Sequence, residues 1–104
     1  MSLWSKLFGT GEGHAVKVDG ARARALVEDG ATLLDVRSPE EFSGGHIEGA
    51  INIPVGDLAR SLEAVPAGPV VVYCRSGVRS ARAGRTLLAA GREAVYDLGS
   101  IGAW

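Results

Sequence analysis

A single cysteine, Cys74, closes the apolar, β-branched run Val70–Tyr73 and is followed by Arg75-Ser76-Gly77-Val78-Arg79-Ser80. A thiol at the end of a strand, ahead of a short polar loop and a helix start, is placed for nucleophilic chemistry. The loop amides and the first free N–H groups of the helix point back at the sulfur. The helix N-terminus acts as roughly half a positive charge. Both favour the thiolate, which is the nucleophilic form. Gly77 lets the loop turn through conformations closed to other residues, and Ser80 is suited to cap the helix. Arg75 and Arg79 lie inside the loop, so at least one of them is expected to face an incoming anion. A lone strand-end cysteine is more often a small buried hydrophobe. The glycine- and arginine-bearing loop shifts the weight to a reactive one, whose sulfur must then be ionised and reachable.

The surroundings are charged to match. Between Glu63 and Glu93 there is no acid, yet Arg75, Arg79, Arg82, Arg85 and Arg92 fall there. Arg82, Arg85 and Arg92 read as a solvated helix face. The chain as a whole carries a net charge of −1, which argues against nucleic acid or anionic lipid as a partner. One cysteine excludes an internal disulfide and dithiol chemistry. Cys74 with His14 and His46, far apart in sequence, is no metal-ligand cluster, and no cofactor is expected. No apolar run approaches the ~20 residues of a membrane span, and Met1–Gly13 is a poor secretory signal. The expectation is a cytoplasmic protein with a reduced thiol.

A chain of 104 residues, 46% hydrophobic and 22% charged, has the size and composition of one ordinary globular domain. Residues 1–14 read as a flexible lead-in, with Trp4, Leu7 and Phe8 ahead of Gly9, Gly11 and Gly13; residues 15–104 read as the domain. From Ala15, strands and helices alternate. Strands are expected at Ala15–Val18, Thr32–Val36, Ala50–Ile53, Val70–Tyr73 and Ala94–Leu98. Helices are expected at Ala21–Asp29 behind an Asp19 cap, after the Ser38-Pro39-Glu40-Glu41 capping box, at Asp57–Ala64 and at Ser80–Ala90. A last turn is expected at Ser100–Trp104. Such alternation predicts an α/β fold, a mainly parallel sheet covered by helices on both faces. The ligand site then lies at the carboxyl ends of the strands, where Cys74 stands.

Four segments carry a resemblance over about Val16–Trp104. They are Leu34-Asp35-Val36-Arg37 with Glu41-Phe42, Gly45-His46-Ile47-Glu48-Gly49-Ala50-Ile51-Asn52-Ile53-Pro54, the stretch Val71–Ser80, and Leu98-Gly99. In this order and spacing the chain resembles the single-domain rhodanese (sulfurtransferase) family. The resemblance implies a three-layer fold on a five-stranded parallel sheet of order 1-5-4-2-3. It implies sulfur transfer through a Cys74 persulfide, from thiosulfate or a persulfide donor to a thiol, protein thiols included, or to cyanide. Arg75, Ser76, Gly77, Val78, Arg79 and Ser80 then form the substrate-binding loop, with both arginines on the donor anion.

Asp35 and Arg37 match the family's Asp-Val-Arg segment and are expected in a supporting role, Arg37 pairing with a nearby carboxylate such as Glu41. His46 is expected as a hydrogen-bonded packing residue, and Asn52 and Pro54 as loop geometry. Two other functions stand beside the enzyme. One is a persulfide carrier or regulatory binding module for a protein partner, with Trp4, Leu7, Phe8 and Trp104 as a docking patch or a cover for the core. The other is a cysteine-dependent phosphatase or arsenate reductase. Four residues separate Cys74 from Arg79, whereas a phosphate-wrapping loop needs five, so this last reading is disfavoured.

Overall fold

The computed structural model describes residues 13–104. Trp4, Leu7, Phe8 and most of the expected lead-in lie outside them. The elements are β1 (Val16–Lys17), α1 (Gly20–Glu28), β2 (Thr32–Asp35), α2 (Pro39–Ser43), β3 (Ile51–Asn52), β4 (Val70–Cys74), α3 (Val78–Ala89) and β5 (Val95–Ser100). Between β3 and β4 run two 3₁₀ segments, Val55–Arg60 and Leu62–Ala64, and a 3₁₀ turn, Ile101–Ala103, ends the chain.

The five strands form one sheet in the order β1-β5-β4-β2-β3, every pair parallel. β4 is central because it is apolar throughout: Val70, Val71, Val72, Tyr73 and Cys74 are all fully buried. Its side chains alternate between two cores. Val70, Val72 and Cys74 pack with Leu34, Leu58, Ala83 and Leu87 on the side of α3 and the 3₁₀ segments. Val71 and Tyr73 pack with Leu33, Ala23 and Leu98 on the side of α1, and Trp104 joins them half-buried.

Local signals act as their chemistry dictates. Asp19 caps α1 by accepting from the Arg22 amide at 2.8 Å. Ser38 and Glu41 close the reciprocal capping box at the start of α2. Two expectations change. The expected helix Asp57–Ala64 is instead a pair of 3₁₀ segments broken at Ser61. So short a stretch must reach the core at both Leu58 and Val65, and i→i+3 turns span the distance in fewer residues than a nucleated α-helix. α3 begins at Val78, two residues early, and its cap is Gly77 at φ 110° rather than Ser80.

Candidate active site

The loop from Cys74 to Arg79 bridges the carboxyl end of β4 and the first turn of α3. Gly77 takes a left-handed conformation that reverses the chain before the helix. That turn aims the Gly77 amide at the sulfur, with N to Sγ 2.9 Å. Ser80 does not cap the helix. It is buried, and its hydroxyl donates to the Gly77 carbonyl at 3.1 Å, bracing the turn from inside.

Burial pushes the Cys74 thiol up. Hydrogen bonding from the Ser80, Gly77 and Ser76 amides more than reverses this, and the thiol lies below its ordinary value of 9.0. The direction agrees with the helix-start argument. Access differs from the sequence expectation. Cys74 has no solvent-accessible surface, whereas Arg75, Ser76 and Val78 of the same loop are exposed.

The two loop arginines are not equivalent. Arg75 is exposed and, among the described residues, makes no ion pair. Arg79 forks onto Glu41 of α2, with Nη1–Oε1 2.7 Å and Nη2–Oε2 3.0 Å. The Arg79 guanidinium, with the Ser38 amide behind it, draws the Glu41 carboxyl down to about 2. Arg37 does pair with a nearby carboxylate, as expected, but that carboxylate is not Glu41. Arg37 pairs with Asp35, two residues away on the same strand end: Nη2–Oδ2 2.7 Å and Nε 3.1 Å from both carboxylate oxygens. The planar fork fits the nearer carboxylate while its second edge reaches the Gly45 carbonyl at 2.8 Å.

This pair forms the wall behind the loop. Asp35 is fully buried and Arg37 is 7% exposed. Asn52, expected as loop geometry, donates to the Asp35 and Arg37 carbonyls, both at 3.0 Å, and so ties β3 to the same corner. The Arg37 guanidinium also lies 5.7 Å over the Tyr73 ring. Burial, with the Asp35 carboxylate adding to it, pushes the Tyr73 phenol up to about 12. Tyr73 therefore stays neutral, and its hydroxyl accepts from the Ile47 amide at 3.2 Å. His46 stacks on Phe42 with ring centroids 3.6 Å apart, and its Nδ1 lies 2.8 Å from the Phe42 carbonyl, the packing role expected of it. Among the described residues no cluster of acidic, histidine or cysteine side chains could hold a metal ion.

Sequence reasoning missed the Glu41–Arg79 bridge and the part played by β5. A bulge opposite Tyr73 skips Leu98 in the pairing, and Asp97 accepts from the Gly99 amide at 2.8 Å. Gly99 then runs beneath the loop, where a Cβ on Gly77 would lie 3.8 Å from its Cα. The signal available was Leu98-Gly99 itself, a glycine inside a strand pattern.

Fold and site together define an α/β protein that presents one cysteine in an amide-lined loop at the carboxyl edge of a parallel sheet. The family model for the rhodanese-like domain matches residues 20–104, and the chain belongs to that family. Thiosulfate sulfurtransferase 18 of Arabidopsis thaliana is 37% identical over 101 residues, covering 83% of this chain and 74% of the relative. The uncharacterised YqhL protein of Bacillus subtilis is 49% identical over 69 residues, and the match covers 65% of this chain and only 55% of that protein. Among solved structures, the crystal structure of reduced CoADR-RHD from Bacillus anthracis superposes with a TM-score of 0.74 at 34% identity. It covers 86% of this chain and 16% of that one.

Proposed function

We propose that the protein is a sulfurtransferase that carries a sulfane sulfur on Cys74. The observation that supports it most directly is the sulfur itself, 2.9 Å from the inward-aimed amide of Gly77. The Cys74 thiolate attacks the outer sulfur of thiosulfate or a persulfide. The new bond is Sγ–S; the donor's S–S bond breaks, and its electron pair leaves on sulfite or on a thiolate. The amides that hold the thiolate then hold the anionic persulfide. In the second half-reaction an acceptor thiolate or cyanide takes the outer sulfur, and Cys74 returns as thiolate. No general base is required while the thiol is ionised, and the two halves give ping-pong kinetics.

Arg75 is the loop cation available to the donor. Arg79, committed to Glu41, reaches a donor only if that pair opens. A carrier role for a protein acceptor has one observation in its favour: Val78, on the rim of the loop, is 77% exposed. The test is the mass of Cys74 after thiosulfate, read beside sulfite release. Wild type gains one sulfur, and Cys74→Ser gains none while keeping its fold. Sulfite release at an unchanged rate by the serine variant overturns the proposal. Fast loading with slow turnover on cyanide or small thiols identifies the carrier.

A further inference from the structure

We propose that Glu41 is a specificity-determining residue: by closing Arg79 into an ion pair beside the loop, it disfavours dianionic sulfur donors relative to alkyl hydropersulfides. The inference rests on the sulfur-transfer reading and names the donor class for the same site.

The two donor types make different demands on charge. With thiosulfate, the Cys74 thiolate meets a dianion and expels sulfite, also a dianion. Three negative charges gather in the loop before and after the S–S bond exchanges. With an alkyl hydropersulfide, the thiolate meets a neutral sulfur and expels one alkanethiolate. One negative charge is present throughout. Cations near the loop therefore matter much more for thiosulfate. Two arginines stand there, but Glu41 answers the charge of one at 2.7 and 3.0 Å. Arg79 remains close enough to feel the Cys74 thiolate, whose charge raises its own pKa after the larger effect of Glu41. A dianion approaching the loop meets Arg75 and a neutralised pair.

Geometry also makes Glu41 separable from the fold. Its second duty is the capping box, where it accepts from the Ser38 amide at 3.0 Å. Glutamine closes the same box. Glu41→Gln therefore removes the charge and keeps the start of α2.

The experiment compares thiosulfate with 2-hydroxyethyl hydropersulfide, generated in situ, as donors to wild type, Glu41→Gln, Arg79→Ala and the double variant. Persulfide loading of Cys74 is followed by mass. Glu41→Gln should shift the ratio of the two kcat/KM values toward thiosulfate by about two- to fivefold, the range for a partly exposed ion pair. The gain should fall in KM and shrink with added salt. The Cys74 titration midpoint should also fall, because a released Arg79 favours the thiolate. In the Arg79→Ala background, Glu41→Gln should shift the ratio much less. An unchanged ratio in Glu41→Gln, with both donors still loading Cys74, overturns the inference and leaves the sulfurtransferase reading standing. Loading of wild type by neither donor overturns both.

Discussion

At the scale of single residues, the thiol at position 74 is fully buried and yet surrounded by amides that favour its charged form. Burial alone would keep it protonated. Amides of Ser80, Gly77 and Ser76 reverse that, because a hydrogen bond to the charged form favours it. These two properties separate in one measurement. Alkylation of Cys74 by iodoacetamide across a pH series should titrate with a midpoint below 9.0. Its plateau rate should fall below that of a free thiolate, since the sulfur has no accessible surface. A midpoint at or above the ordinary value would remove the ionised nucleophile. The candidate nucleophile was legible from its neighbours, since strand, loop and helix start are all local patterns. Its seclusion was not, because burial depends on what the remaining chain lays over the loop.

At the scale of elements, the corner joining β2, β3 and the Gly45 turn rests on one buried ion pair. Asp35 is satisfied by Arg37, and Arg37 by Asp35 and the Gly45 carbonyl. Removing one partner strands a charge in the core, which typically costs about 3–5 kcal/mol. Arg37→Ala should therefore lower the denaturant midpoint sharply, whereas Arg75→Ala, on an exposed residue, should leave it nearly unchanged. Equal stability of the two variants in urea would show that Asp35 finds other partners. The Asp-Val-Arg segment pointed to an ion pair for Arg37, and Arg37 makes one. The choice of partner was not readable there: Glu41 is as near in sequence as a helix start allows, but α2 turns its carboxylate toward α3.

At the scale of the whole molecule, the Glu41–Arg79 pair joins residues 38 apart and ties α2 to the helix that carries the loop. It links stability to pH in a definite sense. Glu41 drops from 4.5 to about 2 on folding. A carboxyl lowered on folding stabilises the native state fully above its unfolded pKa. That contribution disappears as pH falls through the folded one. Thermal unfolding followed from pH 6 down to 2 should show wild type losing stability below about 4.5, beyond what other carboxyls cause. Glu41→Gln should lack that component, so the difference between the two proteins should shrink as the pH approaches 2. The side chains are 29% and 35% exposed, so solvent screens the pair and the effect should be modest. A constant difference over the whole range would refute the linkage.

Short-range chemistry in the chain was enough to establish the alternation of strands and helices, the caps at Asp19 and Ser38, the centrality of β4 and the identity of the candidate nucleophile. Each depends on residues within a turn or two of one another. Four features came only from the packed molecule: the neutralisation of Arg79, the Asp35 partner of Arg37, the 3₁₀ path after β3 and the bulge that brings Gly99 under Gly77. Each joins groups far apart in the chain, or selects among several local possibilities. The balance among such contacts is struck only when the sheet closes and the side chains compete for the same space and the same charges.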